Sequence, residues 1–332
     1  MEAYIKAISY YLPDQILTNE QLATDFPDWN LAKVTSKIGI STRHLSAIDE
    51  TATDMAIKAA ENLFKENGNI DRQNIDFVLL CTQSPDYFLP TSACLIQDRL
   101  NLSTSCGALD FNLGCSGYVY GLSLAKGLIT ADIAKNILLL TSETYSKYIH
   151  REDKGNRTIF GDAASATVIS DQGFARIGKF SLGTDGSGAN NLIVASGAMR
   201  TPEKVNDLST DETGFFRSSD HLYMNGSEIF NFTLENVPLL VENTLDMNRM
   251  QKTDVDLFIF HQANRYMMEF LRKKIKIDET KFYYYLEKVG NTVSSTIPIA
   301  LNKAQKENKL KGNILLAGFG VGYSWGGCVL YI

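Results

Sequence analysis

No two cysteines in this chain are spaced as CxxC, and the five present, Cys81, Cys94, Cys106, Cys115 and Cys328, are odd in number. A disulfide framework is therefore not expected, and the pattern reads as free thiols kept reduced in a cytoplasmic protein. Histidine is scarce as well. His44, His150, His221 and His261 are scattered without ligand spacing, so no metal site is expected. No run approaches the roughly 20 apolar residues of a membrane span. The opening MEAYIKAISYYLPDQ has no charged segment followed by an apolar one, so no secretory signal is read there. Positive charge is not in excess either: 32 Lys and Arg against 38 Asp and Glu leave a net charge of −6, which removes the electrostatic basis for coating a nucleic acid or an anionic membrane.

What is present is ordinary globular composition, 44% hydrophobic and 21% charged over 332 residues, enough for two domain-sized cores. Short aliphatic runs recur: DFVLLC at 76–81, NILLLT at 136–141, SATVIS at 165–170, DLFIFH at 256–261 and NILLAG at 313–318. With helical segments between them they predict a buried sheet in an α/β protein. The pattern also repeats. DFVLLCTQS at 76–84 aligns with DLFIFHQAN at 256–264, an offset of 180, and NILL at 136–139 aligns with NILL at 313–316, an offset of 177. Either the halves 1–172 and 173–332 are duplicates, or short buried strands coincide because they all draw on Val, Ile and Leu. From 185 to 225 the sequence turns to Gly, Ser, Asn, Asp and Thr, a long excursion that either shapes a substrate entrance or is an inert surface loop.

Cys115 stands in LDFNLGCSGYVYGLSLAKGLI, between a strand-like run and a segment with Val119, Leu122, Leu124 and Leu128 at helical spacing. A thiol on a glycine-flanked strand-to-helix turn sits at a helix N-terminus, where free amides and the helix dipole are expected to lower its pKa. The other four cysteines read as small hydrophobes. His261 leaves an apolar strand directly into polar Gln262 and Asn264, where a site histidine would emerge. Asn291 lies in VGNTVSSTIPIALNKA, a turn followed by a helix with Pro298 in its first turn. GFGVGYSWGG at 318–327 is not a dinucleotide loop, because Tyr323 occupies the third glycine's place and too little chain follows; it reads as a turn bringing amides to a reacting carbonyl.

Together, GCSG around Cys115, HQAN at 261–264, GNT at 290–292, FGDAASA at 160–166 and GFGVGYSWG at 318–326 resemble the β-ketoacyl-acyl-carrier-protein synthase III family, over essentially the whole chain. The resemblance implies the thiolase fold, five-layered αβαβα with two similar halves. It implies Cys115 as acyl-accepting nucleophile, His261 and Asn291 as the other catalytic pair, and backbone amides of Cys115 and Val321 as the oxyanion donors. It also implies acyl-CoA or acyl-carrier-protein substrates with no cofactor, and a homodimer in which Leu89 of the Phe88-Leu89-Pro90 segment reaches the partner's acyl pocket. Asn264 and Phe319 fall among the substrate-binding positions.

Departures from the family pattern are visible. Its CoA-gripping Trp and Arg align with Lys33 and Lys37, and Trp29 comes four residues too early. A glycine of the C-terminal loop is replaced by Val321, and a carrier-docking lysine falls on Asn231, leaving Arg265, Arg272, Lys273 and Lys274 as the basic patch for a carrier, or as a solvated helix face.

Two activities share these residues: condensation with a malonyl-type extender, and transfer of the acyl group to an amine or hydroxyl in a specialised pathway. A papain-like hydrolase is disfavoured by the surroundings of Cys115, and a silent binding subunit by the retention of all three active residues.

Overall fold

The computed structural model describes residues 1–210 and 216–332. Its main element is a nine-stranded mixed sheet, running in order Leu257–Phe260, Asn313–Gly320, Ser324–Tyr331, Ala175–Thr184, Tyr4–Tyr11, Ala163–Ser170, Asn136–Glu143, Phe77–Cys81 and Gly107–Phe111. The strands drawn from 4–170 and those drawn from 175–331 meet only where Tyr4 and Ile5 pair with Arg176 and Ala175. Beyond that junction Ala175–Thr184 follows Ser324–Tyr331 instead.

Alternation along the strands builds the layers. Val78 and Leu80 face one way, against Met55, Ala59 and Leu63 of helix Ala52–Glu66 and Ile96 of helix Ser92–Arg99. Leu79 and Ile137 face the other way, into a core made by helices Gly117–Thr130 and Thr296–Lys306. The far side of that core is Ile259, Ile314 and Leu316, while the intervening Phe258 and Leu315 turn outward to helices Gly226–Met247 and Arg265–Ile275. Reading across, the order is helices, sheet, helices, sheet, helices, the αβαβα thiolase arrangement.

The repeated motifs occupy equivalent places. Phe77 pairs with Ile137 and Leu257 with Ile314, each in a parallel ladder, so the register reproduces the offsets of 180 and 177. Asp76 accepts the amides of Lys135 and Asn136, and Asp256 accepts that of Asn313.

The helix after Cys115 differs in one respect from expectation. Its buried stripe is Tyr118, Leu122, Ala125 and Ile129 together with Val119, whereas Leu124 is 41% exposed because it lies off that 4-3-4 spacing. Among the described residues no helix is long and apolar enough to cross a membrane.

The excursion at 185–225, of which 211–215 lie outside the described residues, contributes short strands pairing Leu192–Ile193 with Tyr223–Met224. Leu192 and Met224 line the cavity that holds Cys115, so this region forms part of the site wall.

Candidate active site

Cys115 sits between strand Gly107–Phe111 and helix Gly117–Thr130, whose N-cap, Ser116, makes no side-chain cap. Instead the Ser116 hydroxyl meets that of Ser324 at 2.6 Å, tying the turn to the last strand. Two glycines allow this packing. A Cβ on Gly117 would lie 2.2 Å from Cys81 Sγ, and one on Gly320 would lie 2.8 Å from both Cβ and Sγ of Cys115.

His261 follows strand Leu257–Phe260, and its amide donates to Ala317 at 2.8 Å, continuing the ladder. Its Nδ1 lies 2.7 Å from Thr296 Oγ1, which also donates to the Val293 carbonyl at 3.0 Å. Thr296 serves either imidazole tautomer: it accepts from Nδ1–H while bonded to Val293, or donates to Nδ1 and leaves Nε2–H for the cavity. Burial lowers the His261 pKa to about 3, so the ring is neutral across the physiological range.

Asn291 is held by the other half of the chain. Its amide donates to Ile159 and its carbonyl accepts from Gly161, the glycine of the FGDAASA motif. Its Oδ1 accepts the Val293 amide at 2.9 Å, which turns the carboxamide N–H groups free. Val293 has φ +55°, a left-handed conformation costly for a β-branched residue and sustained here by that bond.

These three side chains share one cavity of about 150 Å³ with Asn264, Phe319 and Gly320, walled by Ile159, Phe160, Leu192, Met224, Ile229 and Met267. Asn264 also caps its helix by accepting the Met267 amide, and Phe319 stands edge-on to His261 at 5.7 Å. The amides of Val321 and of Cys115 itself bond the Cys115 sulfur and favour its thiolate.

The expectation of a lowered thiol pKa is not met. Burial and then the Glu143 carboxylate push Cys115 up to about 12, against the pull of those two amides. Cys115 is 5% exposed, and the desolvation of its sulfur outweighs a helix mouth. Glu143 is itself raised by burial to about 8, so at neutral pH it is mostly uncharged and the repulsion is reduced.

The remaining positions are dispersed. Val321 places its side chain in the wall of a neighbouring cavity of about 510 Å³, with Gln83, Tyr145, Tyr148 and Leu222; Leu192 belongs to both walls. Leu89 is 83% exposed and lines neither cavity of its own chain. Trp29 packs edge-on against Phe26, Lys33 is exposed, and Lys37 lies 5.0 Å from the Tyr266 ring centre; none of the three reaches the Cys115 cavity.

The basic patch also divides. Arg272 is mostly buried and bonds Glu269 and the Ile277 carbonyl, and Arg265 pairs with Glu269 and stacks on Tyr284. Lys273 and Lys274 are exposed.

Sequence reasoning passed over Glu143 and Thr296. The first was visible as a carboxylate ending the apolar run NILLLTSE, and the second lies five residues beyond Asn291 in its own motif.

Comparison with known proteins identifies the family. Residues 109–186 match the family model of 3-oxoacyl-[acyl-carrier-protein] synthase III, and residues 245–332 match that of its C-terminal part. The chain is 34% identical to the β-ketoacyl-[acyl-carrier-protein] synthase III 2 of Halalkalibacterium halodurans, covering 99% of this chain and 96% of that one. Among solved structures, a 3-oxoacyl-(acyl-carrier-protein) synthase III is 49% identical with a TM-score of 0.97 over 100% of both chains. A 3-oxoacyl-(acyl-carrier-protein) synthase from Burkholderia xenovorans is 35% identical with a TM-score of 0.91, covering 100% of this chain and 94% of that one. The chain belongs to the 3-oxoacyl-[acyl-carrier-protein] synthase III family, and is an acyltransferase of that type.

Proposed function

We propose that Cys115 accepts an acyl group from a CoA or carrier-protein thioester and that the acyl-cysteine is then joined to a malonyl thioester by decarboxylative Claisen condensation. The observation that carries the reading is the shared cavity: Cys115, His261 and Asn291 line one volume, with two backbone amides on the sulfur.

In the first step sulfur attacks the thioester carbonyl as the Cys115 proton passes, by way of a water molecule, toward the departing donor sulfur, so neither a free thiolate nor an imidazolium accumulates. The Cys115 and Val321 amides hold the oxyanion; the C–S bond to the donor breaks and the donor leaves as a thiol carrying that proton, with the His261 Nε2–H untouched for the second step. In the second step the malonyl carboxylate leaves as carbon dioxide, and its bonding electrons form an enolate held by Asn291 Nδ2–H and His261 Nε2–H. The enolate carbon attacks the acyl-cysteine, and the released Cys115 thiolate takes a proton from water. As written, the chemistry needs no cofactor beyond the thioesters.

The same reading includes a cytoplasmic homodimer. Five free cysteines fit a reducing compartment. Strand Gly107–Phe111 ends the sheet with Leu109 44% exposed, and Tyr87, Phe88 and Leu89 are exposed as well, an unpaired edge and apolar surface suited to a second copy. Leu89 would then reach the partner's cavity, and Lys273, Lys274 and Lys37 would meet an acidic carrier, with Arg272 committed to its own helix.

The test is carbon dioxide release on incubation with an acyl donor and a malonyl carrier, alongside the intact mass of the protein. Release with a β-ketoacyl product supports condensation. A stable acyl-enzyme that releases none points to an amine or hydroxyl acceptor.

A further inference from the structure

Glu143 is fully buried, lies next to the nucleophile and has no part in the steps above. It ends strand Asn136–Glu143 and gathers groups from both halves. The Gln83 amide donates to it at 3.0 Å and the Ser84 hydroxyl at 3.3 Å, both from the loop beside Cys115. The Ser294 hydroxyl donates at 3.1 Å from the far half, out of the turn that carries Asn291. Ser294 directly follows Val293, whose left-handed conformation supplies the amide that orients the Asn291 carboxamide. Next to it, Ser295 bonds the Thr141 hydroxyl at 2.8 Å, so the turn rests on this one strand end.

We propose that Glu143 is a positioning residue for condensation, setting the Asn291 turn of one half against the Cys115 loop of the other. The inference rests on the acyl-cysteine and enolate roles given above. A strained turn needs outside support to persist, and a displacement of about 1 Å at a donor costs on the order of 10² in rate. The titratable groups facing the carboxyl are Cys81, Cys115, Tyr145, Tyr148 and Asp162, none of them cationic. Nothing there favours its ionised form by charge. The proton instead lets it donate to Ser84 or Ser294 in place of one accepted bond, and its loss puts a negative charge near the sulfur.

The experiment compares wild type with Glu143→Ala, Glu143→Gln and Ser294→Ala, measuring the rate of Cys115 acylation by intact mass, carbon dioxide release from malonyl carrier, and both against pH from 6 to 9.5. Glu143→Ala and Ser294→Ala are expected to lower carbon dioxide release about 10-fold or more while acylation stays within about 3-fold. Glu143→Gln, which keeps an acceptor and a donor, is expected to restore release at pH 7 and to flatten the decline of the wild type above pH 8. Equal loss of both half-reactions in Ser294→Ala, or no rescue by glutamine, overturns the proposal, since a merely structural carboxyl would act on both steps alike. A wild type that acylates and decarboxylates while every variant matches it overturns the proposal and leaves the parent reading intact. A wild type that does neither overturns both.

Discussion

Gly320 closes directly over Cys115: a single added carbon there would lie 2.8 Å from the sulfur. The strand Asn313–Gly320 of one half thus ends against the turn of the other, and the Val321 amide reaches the sulfur only because nothing projects from the preceding residue. Gly320→Ala should therefore force the two apart and slow acylation of Cys115 by about 10². Rapid-quench mass measurement of the acyl-enzyme checks this; an unchanged rate would mean that the contact does not set the oxyanion geometry.

His261→Ala should separate the half-reactions. Removing one of two donors at the enolate oxygen costs about 10²–10³ in decarboxylation. Acylation, which retains both backbone amides, should lose less. Parallel loss in the two assays would remove the division of labour between His261 and the oxyanion amides.

The low pKa of His261 predicts an unusual acid profile. An ordinary histidine would become cationic near pH 6.5 and end its service as a neutral donor. Held at about 3, this ring should keep the wild-type rate of decarboxylation free of an imidazole step between pH 7 and 5. Stability follows the opposite bookkeeping to a salt-bridged histidine. The unfolded chain binds the proton more readily, so the contribution is present above pH 6.5 and is lost as pH falls toward 3. Thermal melts from pH 7 to 4 should show a steeper decline for wild type than for His261→Gln.

Val321 bounds the cavity of about 510 Å³ beside the site. Val321→Gly keeps the amide and removes the side chain at the boundary, which should raise acylation by octanoyl-CoA by about 10-fold and leave acetyl-CoA nearly unchanged. Competition between the two donors, read by mass, measures the ratio directly. An unchanged ratio would place the acyl chain elsewhere.

Much of this was legible in the chain. The duplicate strands at 76–84 and 256–264 announced two equivalent halves because buried parallel strands carry near-continuous apolar runs, and their register in the sheet preserves the same offsets. Cys115, His261 and Asn291 each leave a strand or turn beside a glycine or a polar run, and the family resemblance of the ordered motifs singled them out as a set. The thiol pKa could not be read, since it depends on how completely the fold encloses the sulfur, a property of contacts hundreds of residues apart in sequence. Glu143 and Thr296 escaped for a related reason. Their importance lies in what they touch, Ser294 and Gln83 in one case and His261 Nδ1 in the other, and no local spacing records those contacts. Arg272 misled because a basic residue on a helix looks free until its partners Glu269 and Ile277 are placed.

The covalent bond itself is the most direct test. Wild-type protein mixed with an acyl-CoA or acyl-carrier donor should gain the mass of one acyl group, mapped by peptide digestion to Cys115, and Cys115→Ala should gain none. An alanine variant that still takes up the acyl mass would contradict the account at its centre.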